Sequence, residues 1–555
     1  MSIYKEPDRP VWNAVFFLTL AFLLIYPMWK LGLRDLFWDE GEYAAIVSEL
    51  HSFPPDARAH GELIPGFYPL YPLLVKGLTM LGLSMEFSLR FISVAALGGL
   101  TLMTGIIGCR MAGVHAGAAS AAIMFTTLIA AEKAVEGYPD TLLILLIFSG
   151  WLLWFFLGQF GGSWKSGWLA IGLFGGLAFY CGGWTALIYF LVPMMFLKRP
   201  FTPWRRLTNA GFPAGMLILL FFILIWLIPR WMPEAASKPF FPNYTVWEYI
   251  AHGFSMSVDI AFRFLPWTFF LYAPFCAALI DMDENPLFSK YLRILFTVSA
   301  ILIILSPFSR ARDILYLVPT FSLLAGMNYN IVVRRHGQML CRILRWAALG
   351  AFIACSGVLL YELVPAFGIQ KFPFLKGFYP EQNALTLSVF SSLLEAAAGI
   401  LIAGTAYMQA YKKGSIWMIT VLVFTSGMLC FYAVITPHRA NQRSRSQMGL
   451  AFRRALGNAY HKDMTVCKDN AISGLYPECH YLGTRIRTIP FSGTDVLTDK
   501  EVYLLSASSI QPPDSSRSWT KIMDVIYKKQ NLYMWKGILN DRNDGPENDI
   551  RNMRF

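Results

Sequence analysis

Long apolar runs separated by short polar stretches dominate the first 436 residues of this 555-residue chain. A helix needs roughly 17–25 predominantly apolar residues to cross a bilayer. About thirteen segments meet that criterion, near 12–31, 88–111, 114–131, 139–160, 166–180, 182–197, 208–229, 260–281, 291–307, 314–331, 343–364, 386–411 and 415–436. The pair 166–180 and 182–197 is short and parted by Cys181-Gly182-Gly183, so it also reads as one broken segment. Past residue 437 the pattern changes. No span-length run remains there, and short strand-type stretches (Arg485 to Ile489, Glu501 to Leu505) adjoin a helical candidate from Ser518 to Lys529. The pattern predicts an α-helical polytopic membrane protein over 1–436, with an external loop at 32–87. A small soluble α/β domain outside the membrane follows over 437–555.

Charge placement orients the bundle. With Lys5 and Arg9 in the cytoplasm, Lys198, Arg199, Arg205, Arg206, Lys290, Arg293, Arg334, Arg335, Arg342, Lys412 and Lys413 all fall on cytoplasmic connections, as the positive-inside rule requires. The long connections 32–87, 230–258 and 365–383 then face outward, as does the tail. The first apolar run is too long for a signal-peptide core and lacks a small-residue cleavage site, so it reads as a retained span. Composition agrees: 55% of residues are hydrophobic and 15% charged. The net charge of +12 marks membrane orientation rather than nucleic-acid binding. Cys467 and Cys479 in the tail are candidates for a disulfide if that side of the membrane is oxidising. No cysteine pair has metal-ligand spacing.

The candidate chemistry lies on the outward connections. Trp38-Asp39-Glu40-Gly41-Glu42-Tyr43-Ala44 sets three carboxylates within four residues just beyond the first span. Ionisable groups beside a bilayer are costly unless they meet water or a charged partner. Tyr43, Ile46, Val47 and Leu50 recur at helical spacing, predicting a short interfacial helix over 40–51, with a second over 70–82. Between them lie His51, Pro54-Pro55, His60, Glu62 and the aromatic-proline cluster Gly66-Phe67-Tyr68-Pro69-Leu70-Tyr71-Pro72, read as an interfacial belt or the lining of a lipid groove. Asp140 stands at the head of the fourth span, where a simple helix cap is the bland reading. Glu248 and His252, at i and i+4, share a helix face and form a candidate pair for a divalent cation or phosphate. Arg310 and Arg312 break the local charge bias beside Asp313, with Tyr316 just inside the next span; arginine's planar donor fork suits a phosphate. Carboxylates to take a proton and cations to hold a phosphate are what sugar transfer from a lipid-phosphate carrier needs.

The segment 38–44 resembles the Asp-Glu-x-x-Tyr-Ala signature in the first external loop of bacterial lipid A aminoarabinose transferases and related protein O-mannosyltransferases of the GT-C superfamily. Ser88-Leu89-Arg90-Phe91, Tyr138-Pro139-Asp140-Thr141, Glu248 with His252, and Arg312 through Pro319 are similar to further short motifs of that family. The thirteen spans and the external tail, with Tyr476 and Tyr481-Leu482-Gly483, fit the aminoarabinose branch. The resemblance covers the chain by architecture and only a few motifs by residue. It implies an inverting transfer in a bacterial inner membrane, from a polyprenyl-phosphate sugar to a lipid, glycan or protein acceptor. Asp39 would be the base, assisted by Glu40 and Asp140. Arg310 and Arg312 would hold the carrier phosphate, with Arg90, Tyr43, Tyr68 and Tyr316 as substrate contacts. No metal is demanded, although a divalent cation is compatible. The family's Lys-Pro-Pro motif is replaced by Gly66-Phe67-Tyr68-Pro69, without a lysine, so the resemblance does not name the donor sugar. From a different class, a transporter or flippase of lipid-linked glycans would concentrate polar groups at the bilayer midplane. The Cys181-Gly182-Gly183 break is the feature in its favour.

Overall fold

The computed structural model describes residues 6, 10–37, 39–50, 58–64, 68–227, 245–280, 282–366, 387–442, 445–462, 464–472, 474–491, 500–514, 516–527 and 530–539. Trp38, His51, Pro54-Pro55, Gly66-Phe67 and most of the 365–383 connection lie outside them. The chain forms two compact units, one from Met1–Arg34 and Tyr68–Arg443, the other from Asp35–Phe67 and Ser444–Phe555. The first half of the external loop therefore folds with the tail.

In the first unit, eight described helices are long and apolar enough to cross a membrane. Two of them fold back on themselves. Met85–Thr126 is interrupted at Ala112 and Gly113, the latter with φ of 83°. A Cβ on Gly105 would stand 3.2 Å from that of Ala121, whereas sixteen residues of straight helix span about 24 Å. The expected spans 88–111 and 114–131 are thus the arms of one hairpin. Trp164–Met195 breaks likewise at Gly183, and Phe190 returns to within 3.0 Å of a Cβ built on Gly175. Small residues let these arms approach backbone to backbone.

Two expected spans are broken up. The run 260–281 ends an amphipathic helix, Val246–Arg263, then continues as 3-10 turns Thr268–Leu271 and Ala273–Phe275 and a single turn, Ala277–Ile280. Pro266 and Pro274 supply no amide to a continuous helix there. The run 314–331 begins as a 3-10 segment, Ala311–Leu317, and becomes α-helical only over Val318–Met327, with a proline in its first turn. Gly211–Leu227, seventeen residues long, represents the run 208–229.

The second unit is built on a five-stranded sheet. After a two-residue hairpin, β1 (Arg58–Ala59) and β2 (Glu62–Leu63), come β3 (Thr465–Asp469), β4 (Arg485–Ile489), β5 (Glu501–Ser506), β6 (Arg517–Tyr527) and β7 (Gln530–Leu539). The order is β4-β3-β5-β7-β6, parallel at β4-β3 and β3-β5 and antiparallel elsewhere. The helix expected over 518–529 is strand β6. Trp519 lies opposite Gly537, whose absent Cβ makes room for the indole at 2.7 Å. Val466, Tyr503, Leu505 and Met534 pack against the helices Ser446–Leu456 and Tyr476–Leu482. Cys467, Val502, Leu504, Trp519 and Trp535 form a separate cluster, as strand alternation dictates. Cys467 and Cys479 therefore lie in different cores, on opposite faces of the sheet, and both are free thiols. Burial pushes the Cys479 thiol up to about 12.

The segment 35–67 is woven into this unit. Asp35 accepts the amides of Arg445 and Ser446 at 3.0 and 2.9 Å, and the Tyr481 hydroxyl accepts the Leu36 amide. The helix expected over 40–51 runs Asp39–Glu49. Gly41 lies so close to Pro477 that a Cβ would meet the ring at 2.5 Å.

Candidate functional site

In the membrane unit, the motifs at 138–141 and 309–316 come together at one end of the bundle. Pro139 caps the helix Asp140–Phe155, putting Asp140 in its first turn, where the helix dipole favours a carboxylate. The Arg312 guanidinium stands 3.7 Å from the Asp140 carboxylate, with 28% and 23% of the two side chains exposed. That separation is an ion pair but longer than a hydrogen bond. The same guanidinium lies over the Tyr138 ring, 4.7 Å from its centre, and Tyr138 is anchored through its carbonyl by the Ser93 hydroxyl. An aromatic face and a carboxylate thus hold the arginine in place.

Arg310 is exposed. Its amide donates to Asp313 at 2.7 Å, fixing the start of the 3-10 segment that Arg310 caps and that carries Arg312. Burial raises the Asp313 carboxyl, while that amide bond and the charges of Arg312 and Arg310 pull it back. Tyr316 stacks on Tyr189, ring centres 4.4 Å apart, and the Cys181 thiol donates weakly to the Pro139 carbonyl. Lys133 bridges Glu132 and Glu136 nearby. Burial raises the Glu136 carboxyl despite Lys133. The result is a half-buried group of cations, carboxylates and tyrosine rings, in which the arginines supply the donors an anion would need. Asp313 stood within a recognised motif but was given no role, and Tyr189 was not singled out, because a tyrosine inside an apolar run gives no signal.

His252 and Glu248 make different bonds. The Ser309 hydroxyl donates to the Ser306 carbonyl, so His252 Nε2 is the donor in their 3.0 Å contact. Glu248 accepts from the Thr245 amide and hydroxyl, closing a capping box. Among the described residues no three His, Cys, Asp or Glu side chains gather to hold a metal.

Arg90 is 1% exposed. It donates to the carbonyls of Leu31 and Arg34, both at 2.6 Å, so it clamps the chain leaving the first span. The Tyr68 ring rests on Gly183, where a Cβ would fall 1.8 Å from the ring. It stacks on Trp226 and meets Phe179 edge-on.

In the second unit, Asp39 is half-buried in the first turn of its helix. Glu40 is 1% exposed and accepts the Phe37 amide at 3.1 Å, while its own amide bonds the Phe37 carbonyl. This reciprocal pair fixes where the helix begins. Tyr43 packs with Ile64 and Tyr476 against Ala45, Ile46, Leu50 and Ala59. The same neighbourhood buries His60, 4% exposed, beside Tyr476 and Lys468.

The fold is similar to that of ArnT from Cupriavidus metallidurans. The crystal structure in the apo state matches with a TM-score of 0.65 and 15% identity, covering 94% of this chain and 97% of that one. The structure bound to undecaprenyl phosphate matches with a TM-score of 0.62 and 15% identity, covering 95% and 98%. No protein-family model matches the sequence, and no curated protein matches it. The chain therefore shares the overall fold of that protein.

Proposed function

We propose that this protein transfers a sugar from a polyprenyl-phosphate carrier to an acceptor of the cell envelope. The observation that carries the reading is the likeness of nearly the whole fold to a protein whose structure holds undecaprenyl phosphate. The Arg312–Asp140 group supports it, since a guanidinium beside a helix N-terminus suits an anion. The acceptor oxygen attacks the anomeric carbon, the bond from that carbon to the phosphate oxygen breaks with inversion, and the carrier phosphate leaves with the electron pair. The acceptor's proton passes to a carboxylate, for which Asp39 is the proposed base. Glu40, committed to the Phe37 amide, sets the helix that carries Asp39. Arg310 and Arg312 stabilise the departing phosphate, and Asp140 orients Arg312. The Tyr316–Tyr189 stack borders that anion site.

The proposed topology counts each glycine-broken hairpin as two passes and includes the shorter apolar segments. That makes thirteen crossings of a bacterial inner membrane, with the N-terminus cytoplasmic and the tail unit outside. The acceptor is a lipid, glycan or protein exposed on the outer face.

Undecaprenyl phosphate binding to the purified protein tests the anion site. Arg312→Ala removes a charge-assisted bond worth about 1.5–3 kcal/mol, so affinity should fall roughly tenfold to a hundredfold. The uncharged polyprenol should bind both proteins alike. Equal affinity of wild type and Arg312→Ala for the phosphate would remove Arg312 from this role.

A further inference from the structure

The hairpin arm 85–111 carries Arg110 one turn from its glycine break, and a cavity opens on either flank of that arm. One, of about 500 Å³, lies between the arm and the first span, from Val11 to Leu23, with Gly98, Gly105 and Gly117 on its floor. The other, of about 370 Å³, lies against the next span, lined by Met103, Leu152, Leu153 and Phe174. Both are predominantly apolar, and Arg110 lines both. An arginine at a helix end ordinarily snorkels to the interface and marks topology. An arginine shared by the linings of two separate apolar cavities matches something more specific, a single anionic head with two hydrocarbon tails.

We propose that Arg110 and its two flanking cavities bind one diacyl anionic phospholipid, with its phosphate on the guanidinium and one acyl chain in each channel. The larger channel runs along thirteen residues of the first span, about 18 Å of helix, enough for most of an acyl chain. Gly117 lies so near Cys109 and the Gly105 carbonyl that a Cβ would meet them at 2.7 Å, so the two hairpin arms are already in backbone contact beneath the channel. The single cation selects an anionic head through the fork geometry that arginine offers phosphate. Basic positions between membrane helices recognise acidic lipid heads in the same way. The site is separate from Asp140 and Arg312.

Native mass spectrometry of the full chain in detergent tests this, with phosphatidylglycerol, phosphatidylcholine of the same chains, lysophosphatidylglycerol and undecaprenyl phosphate added in turn. Wild type should retain phosphatidylglycerol about tenfold over phosphatidylcholine, the scale of one charge-assisted contact. Arg110→Gln should erase that preference, and Arg110→Lys should keep part of it. Gly98→Leu projects into the larger channel beside Phe22 and should weaken the two-chain lipid more than its single-chain relative. The proposal is overturned if wild type shows no headgroup preference, or if the preference survives in Arg110→Gln. Tighter Arg110-dependent binding of lysophosphatidylglycerol or undecaprenyl phosphate than of phosphatidylglycerol, lost in Arg110→Gln, would also overturn it, since a single chain would then be the true occupant.

Discussion

His60 makes the tail unit sensitive to acid. It sits with Gly61 at the corner of the hairpin between β1 and β2, both at positive φ, 56° and 78°, as a type I′ turn requires. Its amide and that of Gly61 donate to the Glu49 carboxylate, and its carbonyl accepts the amide of Thr488 on β4. The imidazole is thereby held inside, with Nδ1 buried and without a hydrogen-bond partner among the described residues. Burial, reinforced by the Lys468 charge, lowers its pKa from 6.5 to about 3. The folded state therefore refuses a proton that the unfolded chain accepts. The neutral imidazole's stability is fully present above pH 6.5 and is lost as the pH falls from there towards 3. Between pH 7 and pH 5 the loss amounts to about 2 kcal/mol. His60→Asn tolerates the left-handed turn and cannot titrate. In hydrogen exchange of the full chain, the protection of β3 and β4 amides should fall between pH 7 and pH 5 about thirtyfold more in wild type than in the variant, after correction for intrinsic rates. The same pH dependence in both proteins would refute the reasoning.

Glu6 accepts from the Tyr329 hydroxyl and the Ile416 amide, both at 2.7 Å, with His115 at 3.5 Å. Glu6→Ala should cost about 3 kcal/mol and lower the thermal midpoint in detergent by several degrees; an unchanged midpoint would show that the clasp is dispensable. Gly183→Ala strains the backbone at φ of 65° and drives a methyl into Tyr68, so the yield of folded protein should collapse. Adding Tyr68→Ala should restore part of it, because the clash disappears while the strain remains. No recovery in the double variant would mean that the turn alone sets the requirement.

Apolar run length was enough to place most of the membrane helices. It also parted the arms of Met85–Thr126 and Trp164–Met195, between 111 and 114 and at Cys181-Gly182-Gly183, but could not show the backbone that makes those turns, because a residue at positive φ leaves no mark in hydropathy. Strand β6 was misread as a helix. Its charges at Lys521 and Asp524 fall at helical spacing, whereas pairing with β7 and the seat of Trp519 on Gly537 decide the outcome. In the membrane unit, Asp140 and Arg312 were legible as separate motifs, and the structure brings them together. Glu40 and Asp39 look alike in sequence, and burial and the bond to Phe37 mark the first as structural. Membership of 35–67 in the tail unit rests on contacts such as Asp35 with Ser446, 411 residues apart, which no local pattern announces.

The most direct test of glycosyl transfer compares mass spectra of envelope lipids, glycans and proteins from a deletion strain with those after restoring wild type or Asp39→Asn. A sugar-sized mass lost on deletion and regained only with wild type is the predicted result, and it would also identify the acceptor. Equal restoration by Asp39→Asn, at matched membrane levels, would remove Asp39 as the base, and no sugar-sized change on deletion would contradict glycosyl transfer itself.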